Sequence, residues 1–219
     1  MGTWIEIDTP HGPIAAWKAF PAATPHGALV VIQEIFGVNA HIRSVADAFA
    51  DQGYAVLAPA LFDVLERGVE LDYDAEGIAK GRDLITRLGL EKALDMTAAA
   101  AIALAGQGKV GSVGYCWGGT VALLAALRLG LPSASYYGAR NAPFLGEVPK
   151  APVIFHFGER DTSIPPEMVE KHRQLLPQMP LYVYPAGHGF NCDARADFEP
   201  QSAALALSRT LAFFDGQLR

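Results

Sequence analysis

Val110-Gly111-Ser112-Val113-Gly114-Tyr115-Cys116-Trp117-Gly118-Gly119-Thr120-Val121 is the stretch on which the fold turns. Residues 110–115 read as a buried strand, and the apolar run 117–129 reads as a helix. Between them sits Cys116, with Gly114 two residues before it and Gly118 two residues after. A turn this tight strains its central residue and crowds the backbones beside it, and glycines at those two positions relieve the crowding. A strand that passes directly into a helix through such a turn belongs to a layered α/β architecture.

The rest of the chain fits that frame. Residues 4–8 and 14–20 flank a Pro/Gly cluster and predict an N-terminal hairpin. Ala28-Leu29-Val30-Val31-Ile32 is apolar throughout, as in a strand covered on both faces. A helix is expected over 40–52, ended by Gly53, and a buried strand over 54–59. The pattern is irregular over 61–72, and its apolar part, 61–69, suggests a lid over a pocket. Two helices follow, 74–88 and 91–105, broken at Gly89. After the Cys116 turn come strands at 133–137, 153–157 and 181–184, a helix at 167–176 and a closing amphipathic helix at 202–218. Alternating elements of this kind predict a mostly parallel central sheet flanked by helices on both faces. No repeat or linker interrupts it, so residues 1–219 read as one domain.

Composition excludes several classes of function. The 219 residues are 51% hydrophobic and only 18% charged, which suits a doubly covered sheet. A net charge of −6 with no basic stripe argues against nucleic acid as a partner. The apolar run 97–105 is too short to span a bilayer, which takes about 20 residues. The N-terminus shows no signal-peptide pattern, so a cytoplasmic location is expected, with no membrane partner. Two cysteines and six histidines without ligand spacing predict neither a disulfide scaffold nor a metal site, and no cofactor is implied. Nothing sets the oligomeric state, for which a monomer is the default.

A cysteine at the start of a helix meets backbone N–H groups and a dipole that favour thiolate. Its bland alternative is a buried, inert residue in a glycine turn, and the strand–turn–helix setting favours the nucleophile. A nucleophile needs a base, and the base an orienting acid. In α/β-hydrolases these follow in the order nucleophile, acid, histidine. Gly158-Glu159-Arg160-Asp161 follows one predicted strand and Gly187-His188-Gly189 the next. His188, between glycines in a loop, suits a base better than a core residue, and Asp161 is preferred to Glu159 as its acid, against a role as a turn or cap carboxylate. His156, inside a strand, reads as structural; His11, His26, His41 and His172 read as solvent-facing. After the third strand, Gln33-Glu34-Ile35-Phe36 places a carboxylate among apolar residues. Glu34 either pairs with a surface arginine such as Arg43 or lies in the site. In the second case the N–H groups of Ile35 and Trp117 would hold an oxyanion.

Gln33-Glu34-Ile35-Phe36-Gly37-Val38-Asn39, Gly114 to Gly119, Phe157-Gly158-Glu159-Arg160-Asp161 and Ala186-Gly187-His188-Gly189-Phe190 together resemble the motifs of the dienelactone hydrolase (carboxymethylenebutenolidase-like) family, in the right order and over nearly the whole chain. The resemblance implies an α/β-hydrolase fold and a Cys116–His188–Asp161 triad. It also implies that Glu34 holds the resting thiol and takes its proton when substrate arrives. Phe36 and Tyr137 would contact substrate. The family's dienelactone-cleaving members carry an arginine four residues after the histidine to bind a substrate carboxylate, and here Cys192 stands there, read as a small loop residue. Arg82 lies near the helix that would carry a second such arginine, and Arg195 could act from a shifted loop.

The expectation is a cysteine-dependent hydrolase of small esters or lactones working through a thioester, with a small-molecule substrate as its partner. A carboxylesterase or thioesterase of the same fold is the nearer alternative. A non-catalytic redox sensor or binding protein with a vestigial site is the more distant one.

Overall fold

Two apolar cores, one on each face of a single sheet, organise the chain in a computed structural model that describes residues 2–219. The strands are β1 (Thr3–Ile7), β2 (Ile14–Ala19), β3 (Ala28–Ile32), β4 (Ala55–Pro59), β5 (Val110–Tyr115), β6 (Ser133–Tyr136), β7 (Val153–Gly158) and β8 (Leu181–Tyr184). They are ordered β1-β2-β4-β3-β5-β6-β7-β8. The β1–β2 hairpin is antiparallel, β2 joins β4 antiparallel, and every pairing from β4 through β8 is parallel. Alternation along β3 shows how both faces are filled: Leu29 and Val31 point into one core, Ala28, Val30 and Ile32 into the other.

Helices cover the two faces. α1 (Ala40–Asp51) and α6 (Pro200–Leu218) bury Ile42, Phe49, Ala206 and Phe214 in the first core. α2 (Ala75–Leu88) and α3 (Leu90–Leu104) bury Leu84, Leu88, Met96 and Leu104 chiefly in the second. Asn39 Oδ1 caps α1 by accepting from Ile42 N–H at 3.2 Å, and Asp74 caps α2 by accepting from Gly77 N–H at 2.7 Å. Gly89, at φ 76°, separates α2 from α3 as its sequence position predicts. α4 (Trp117–Leu124) continues through a wider π turn, Ala125–Leu129, so the expected helix to residue 129 is present but loosens over its last turn. α5 (Pro166–Leu175) completes the set.

One expectation is corrected here. Residues 61–69 form no lid: Leu61 and Phe62 are buried in the second core, and Phe62 stacks on Trp117 with ring centroids 6.2 Å apart. The segment is tied down from below, because Leu61 N–H donates to Gln33 Oε1 at 3.1 Å and Leu71 N–H to the Phe36 carbonyl at 2.9 Å. It therefore braces the loop after β3 from within the core. Among the described residues no helix is long and apolar enough to cross a membrane.

Candidate active site

Cys116 occupies the one-residue gap between β5 and α4 at φ 54°, ψ −119°, a region where a side chain costs about 1–3 kcal/mol. The surrounding backbone holds it there. Cys116 N–H donates to the Tyr136 carbonyl at 3.0 Å, and its own carbonyl accepts from Gly119 N–H at 3.0 Å. A Cβ on Gly114 would collide with the Gly118 carbonyl, and one on Gly118 with the carbonyl of Gln33. Only glycine at both positions lets the ends of β3 and β5 and the start of α4 converge. That convergence sets Ile35, in the turn after β3, near the first residue of α4. The Trp117 N–H, at the first helical position, has no intrahelical acceptor.

The loops after β7 and β8 supply the acid and the imidazole. Asp161 is anchored by Ser163 N–H, which donates to Oδ1 at 2.8 Å. Its side chain is fully buried, and Oδ2 lies 2.7 Å from His188 Nδ1. His188 Nε2 lies 3.2 Å from Cys116 Sγ. Glu159, the competing carboxylate, is exposed. A carboxylate only accepts, so Nδ1 carries a proton and Nε2 faces the sulfur. Burial works against a charged imidazole, but the hydrogen bonds to Asp161 and Cys116 outweigh it and push the His188 pKa up to about 10.

Glu34 is fully buried, and its Oε1 lies 3.5 Å from Arg195 Nη1 while Oε2 has no hydrogen-bond partner among the described residues. The thiol faces His188, not Glu34. Arg195 reaches back to this point because residues 189–198 form successive turns, with Cys192 N–H bonded to Gly189 O, Arg195 N–H to Cys192 O and Phe198 N–H to Arg195 O. Its guanidinium lies 5.9 Å from the ring centroids of both Phe36 and Tyr73.

Sulfur and imidazole open into a cleft of about 350 Å³. Ile35, Phe36 and Trp117 form one wall, and Ile78, Arg82 and Ile85 reach it from one face of α2. Arg140, Thr162, Ser163, Arg195 and Asp197 supply its polar lining.

The model of the Dienelactone hydrolase family matches residues 14–218. The chain belongs to this family. A carboxymethylenebutenolidase of Pseudomonas putida is 36% identical over 214 residues, covering 88% of this chain and 87% of that protein. A provisionally named carboxymethylenebutenolidase of Synechocystis is 35% identical and covers 99% and 97%. Among solved structures, a provisionally named dienelactone hydrolase of Klebsiella pneumoniae superposes with a TM-score of 0.87 at 28% identity, over 98% of each chain. The Anabaena variabilis dienelactone hydrolase, at 18% identity and a TM-score of 0.74 over 100% of this chain and 99% of that one, shows the shared α/β-hydrolase fold. Membership makes the chain a hydrolase of ester or lactone bonds.

Within this dienelactone hydrolase frame, Cys116, His188, Asp161, Ile35, Trp117 and Phe36 meet at the cleft or directly behind it. Glu34 sits beneath Arg195. Tyr137, expected to contact substrate, is instead fully buried at φ 39°, its ring 5.2 Å from that of His188 and outside the cleft lining. It backs the imidazole. Two histidines expected in solvent are also buried. His172 bonds Asn141 at 3.1 Å and the Met168 carbonyl at 2.8 Å, and His41 Nδ1 meets Asp193 Oδ1 at 3.1 Å. Cys192 is fully buried, and burial followed by the nearby Glu34 charge pushes its thiol up to about 11. The donor atoms of His41, Cys192 and Asp193 fall within 4.8 Å of one another, a set of zinc-ligand types that sequence spacing could not reveal. Arg140 was not singled out from the sequence; its place directly after Tyr137-Gly138-Ala139, at the end of a strand beside β5, is the signal that could have found it.

Proposed function

We propose that this chain hydrolyses small esters or lactones with Cys116 as nucleophile, His188 as general base and acid, and Asp161 as its orienting carboxylate. The observation that carries the reading is the hydrogen-bonded line from Asp161 through His188 to Cys116, 2.7 and 3.2 Å, ending in the cleft. The raised His188 pKa favours proton transfer from sulfur to imidazole, because the resulting cation lies between two anionic partners. The thiolate attacks the carbonyl carbon. The N–H groups of Ile35 and Trp117 hold the oxyanion that forms. Collapse expels the alkoxide, protonated by His188, and leaves a thioester on Cys116. His188 then takes a proton from water, which attacks the thioester and frees the acid. A lactone's alkoxide stays tethered to the acyl group.

Glu34 and Arg195 form an adjacent charge pair, and Arg82 lines the same side of the cleft. Both arginines suit an acid group on the substrate, although Cys192 holds the position where the family's dienelactone-cleaving members place arginine. Glu34 has one oxygen without a partner among the described residues, which suits it to take a proton in this site. A thiolate is also a good leaving group, so activated esters and lactones react in preference to peptides. Steady-state kinetics with cis- and trans-dienelactone, aryl esters, acyl thioesters and a peptide test the reading, with Cys116→Ala as control. Turnover of esters or lactones that disappears in Cys116→Ala is expected; peptide hydrolysis faster than p-nitrophenyl ester hydrolysis, or full activity in the variant, would overturn it.

A further inference from the structure

The chain carries a net charge of −6, yet three arginines line the cleft beside Cys116. They come from different elements: Arg82 from α2, Arg140 from the loop after β6 and Arg195 from the loop after β8. Arg195 has Glu34 3.5 Å away, whereas Arg82 and Arg140 have no ion-pair partner among the described residues. Both are exposed where they line the cleft, and unpaired cations at a cleft raise the local positive potential and favour anions.

The arginines fall into two groups about the nucleophile. β5, which carries Cys116, lies between β3 and β6. Arg82 adjoins the β3 side, since the neighbouring Gly81 packs against the Ile35 carbonyl and any Cβ there would collide with it. Arg195 crosses to the same side, over Phe36 and above Glu34. Arg140 stands on the other side, at the end of β6, where its backbone N–H is held by Thr120 Oγ1 at 3.2 Å. Thr162 and Ser163, from the loop after β7, line the cleft on that same side and offer hydroxyl groups. The remaining cleft carboxylate, Asp197, lies on the loop that carries Arg195. A carboxylate is satisfied by one or two guanidinium groups, and the β3 side supplies Arg82, unpaired among the described residues, with Arg195 beside it sharing its charge with Glu34. Arg140 is surplus to a monoanion. The acyl and alcohol portions of an ester leave the carbonyl carbon in different directions, so a carbonyl seated at Cys116 sends one towards each side.

We propose that Arg140, with the hydroxyls of Thr162 and Ser163, forms a second anion subsite, and that the preferred substrates are dianionic, with one acid group on each side of the scissile bond. This rests on the ester-hydrolase reading above for where the scissile bond lies.

Binding tests it without turnover. N-(4-carboxyphenyl)glutaramic acid, an uncleaved amide with an acid on each side, is titrated calorimetrically into the Cys116→Ala protein, beside the two amides that each lack one carboxylate. The diacid should bind at least about tenfold more tightly than either monoacid, with a steeper loss on adding salt. Adding Arg140→Gln should reduce the diacid to the affinity of one monoacid, and Arg140→Lys should restore part of the difference. Equal affinity for diacid and monoacids, or a diacid preference that survives Arg140→Gln, overturns the proposal. The wild-type protein is then given the matching esters, 4-carboxyphenyl hydrogen glutarate, 4-carboxyphenyl pentanoate and phenyl hydrogen glutarate. A diacid preference in kcat/KM supports the subsite. Tighter binding of the diacid amide than of the monoacid amides, with no cleavage of any ester, refutes the ester-hydrolase reading and leaves the subsite standing.

Discussion

His156 and His188 each hold hydrogen bonds at both ring nitrogens, and they are driven to opposite charge states. His156 lies in β7, fully buried, with Nδ1 2.8 Å from the Tyr184 hydroxyl and Nε2 3.0 Å from Thr210 Oγ1. Its partners are neutral, so burial, helped by Arg209, pushes its pKa down to about 3. His188 is bounded by a carboxylate and a thiol, and its pKa rises to about 10. Burial acts on both in the same direction; the charge of the neighbours decides the outcome. An imidazole between two hydroxyls ties β7 to α6, and one between an acid and a sulfur can move a proton.

The largest effects expected from breaking this contrast are catalytic. His188→Ala and Cys116→Ala should each abolish measurable ester turnover while circular dichroism stays native and unfolding stays cooperative; a His188→Ala protein that fails to fold would give that residue a structural role. Asp161→Asn should cost about 10⁴-fold in kcat, because an amide no longer enforces the Nδ1–H tautomer; a loss under tenfold would remove Asp161 from the site's working set. His156→Ala reverses the pattern. It leaves the Thr210 and Tyr184 hydroxyls buried with a void between them and should cost about 3 kcal/mol of stability. Its kcat should remain within about threefold of wild type, and denaturant melts beside an aryl-ester assay separate the two effects.

Smaller and opposite in sign are the two contributions to stability as a function of pH. For His188 the folded pKa of about 10 exceeds the ordinary 6.5, so the stability it contributes is complete below about pH 6.5 and is lost as pH rises towards 10. For His156 the folded pKa of about 3 lies below 6.5, so its contribution is complete above about pH 6.5 and is lost as pH falls towards 3. Each slope is limited to about 1.4 kcal/mol per pH unit. Melting series of His188→Ala and His156→Ala should therefore flatten opposite limbs of the wild-type profile, and flattening of the same limb in both would contradict the assignment. The smallest change expected is with Glu34→Gln, which should shift the pH dependence of Cys116 alkylation by iodoacetamide with little effect on melting. An unchanged profile removes Glu34 from the thiol's chemistry.

Much of this was legible in the sequence for local reasons. A strand, a glycine-flanked cysteine and a helix specify the turn at Cys116 through backbone sterics alone, and the order Cys116, Asp161, His188 follows from loops at strand ends. What escaped depends on the path of the chain in space. Tyr137 turns inward at a positive φ that its neighbours in sequence do not announce. His41 and Asp193 meet although they lie 152 positions apart. The stacked turns of residues 189–198 carry Arg195 back over Glu34, in a loop that sequence register could not align. The apolar run 61–69 suggested a lid because hydrophobicity alone does not distinguish a pocket cover from a core segment.

Every step proposed for the site depends on a covalent bond between Cys116 and the acyl group. Acid quenching of the wild-type protein during turnover of an activated aryl ester, followed by peptide mass spectrometry, tests it most directly. The peptide containing Cys116 should carry the mass of one acyl group, labile to hydroxylamine and absent from a His188→Ala sample quenched at the same time. Sustained turnover with no acyl mass on that peptide, together with retained activity in Cys116→Ala, would contradict it.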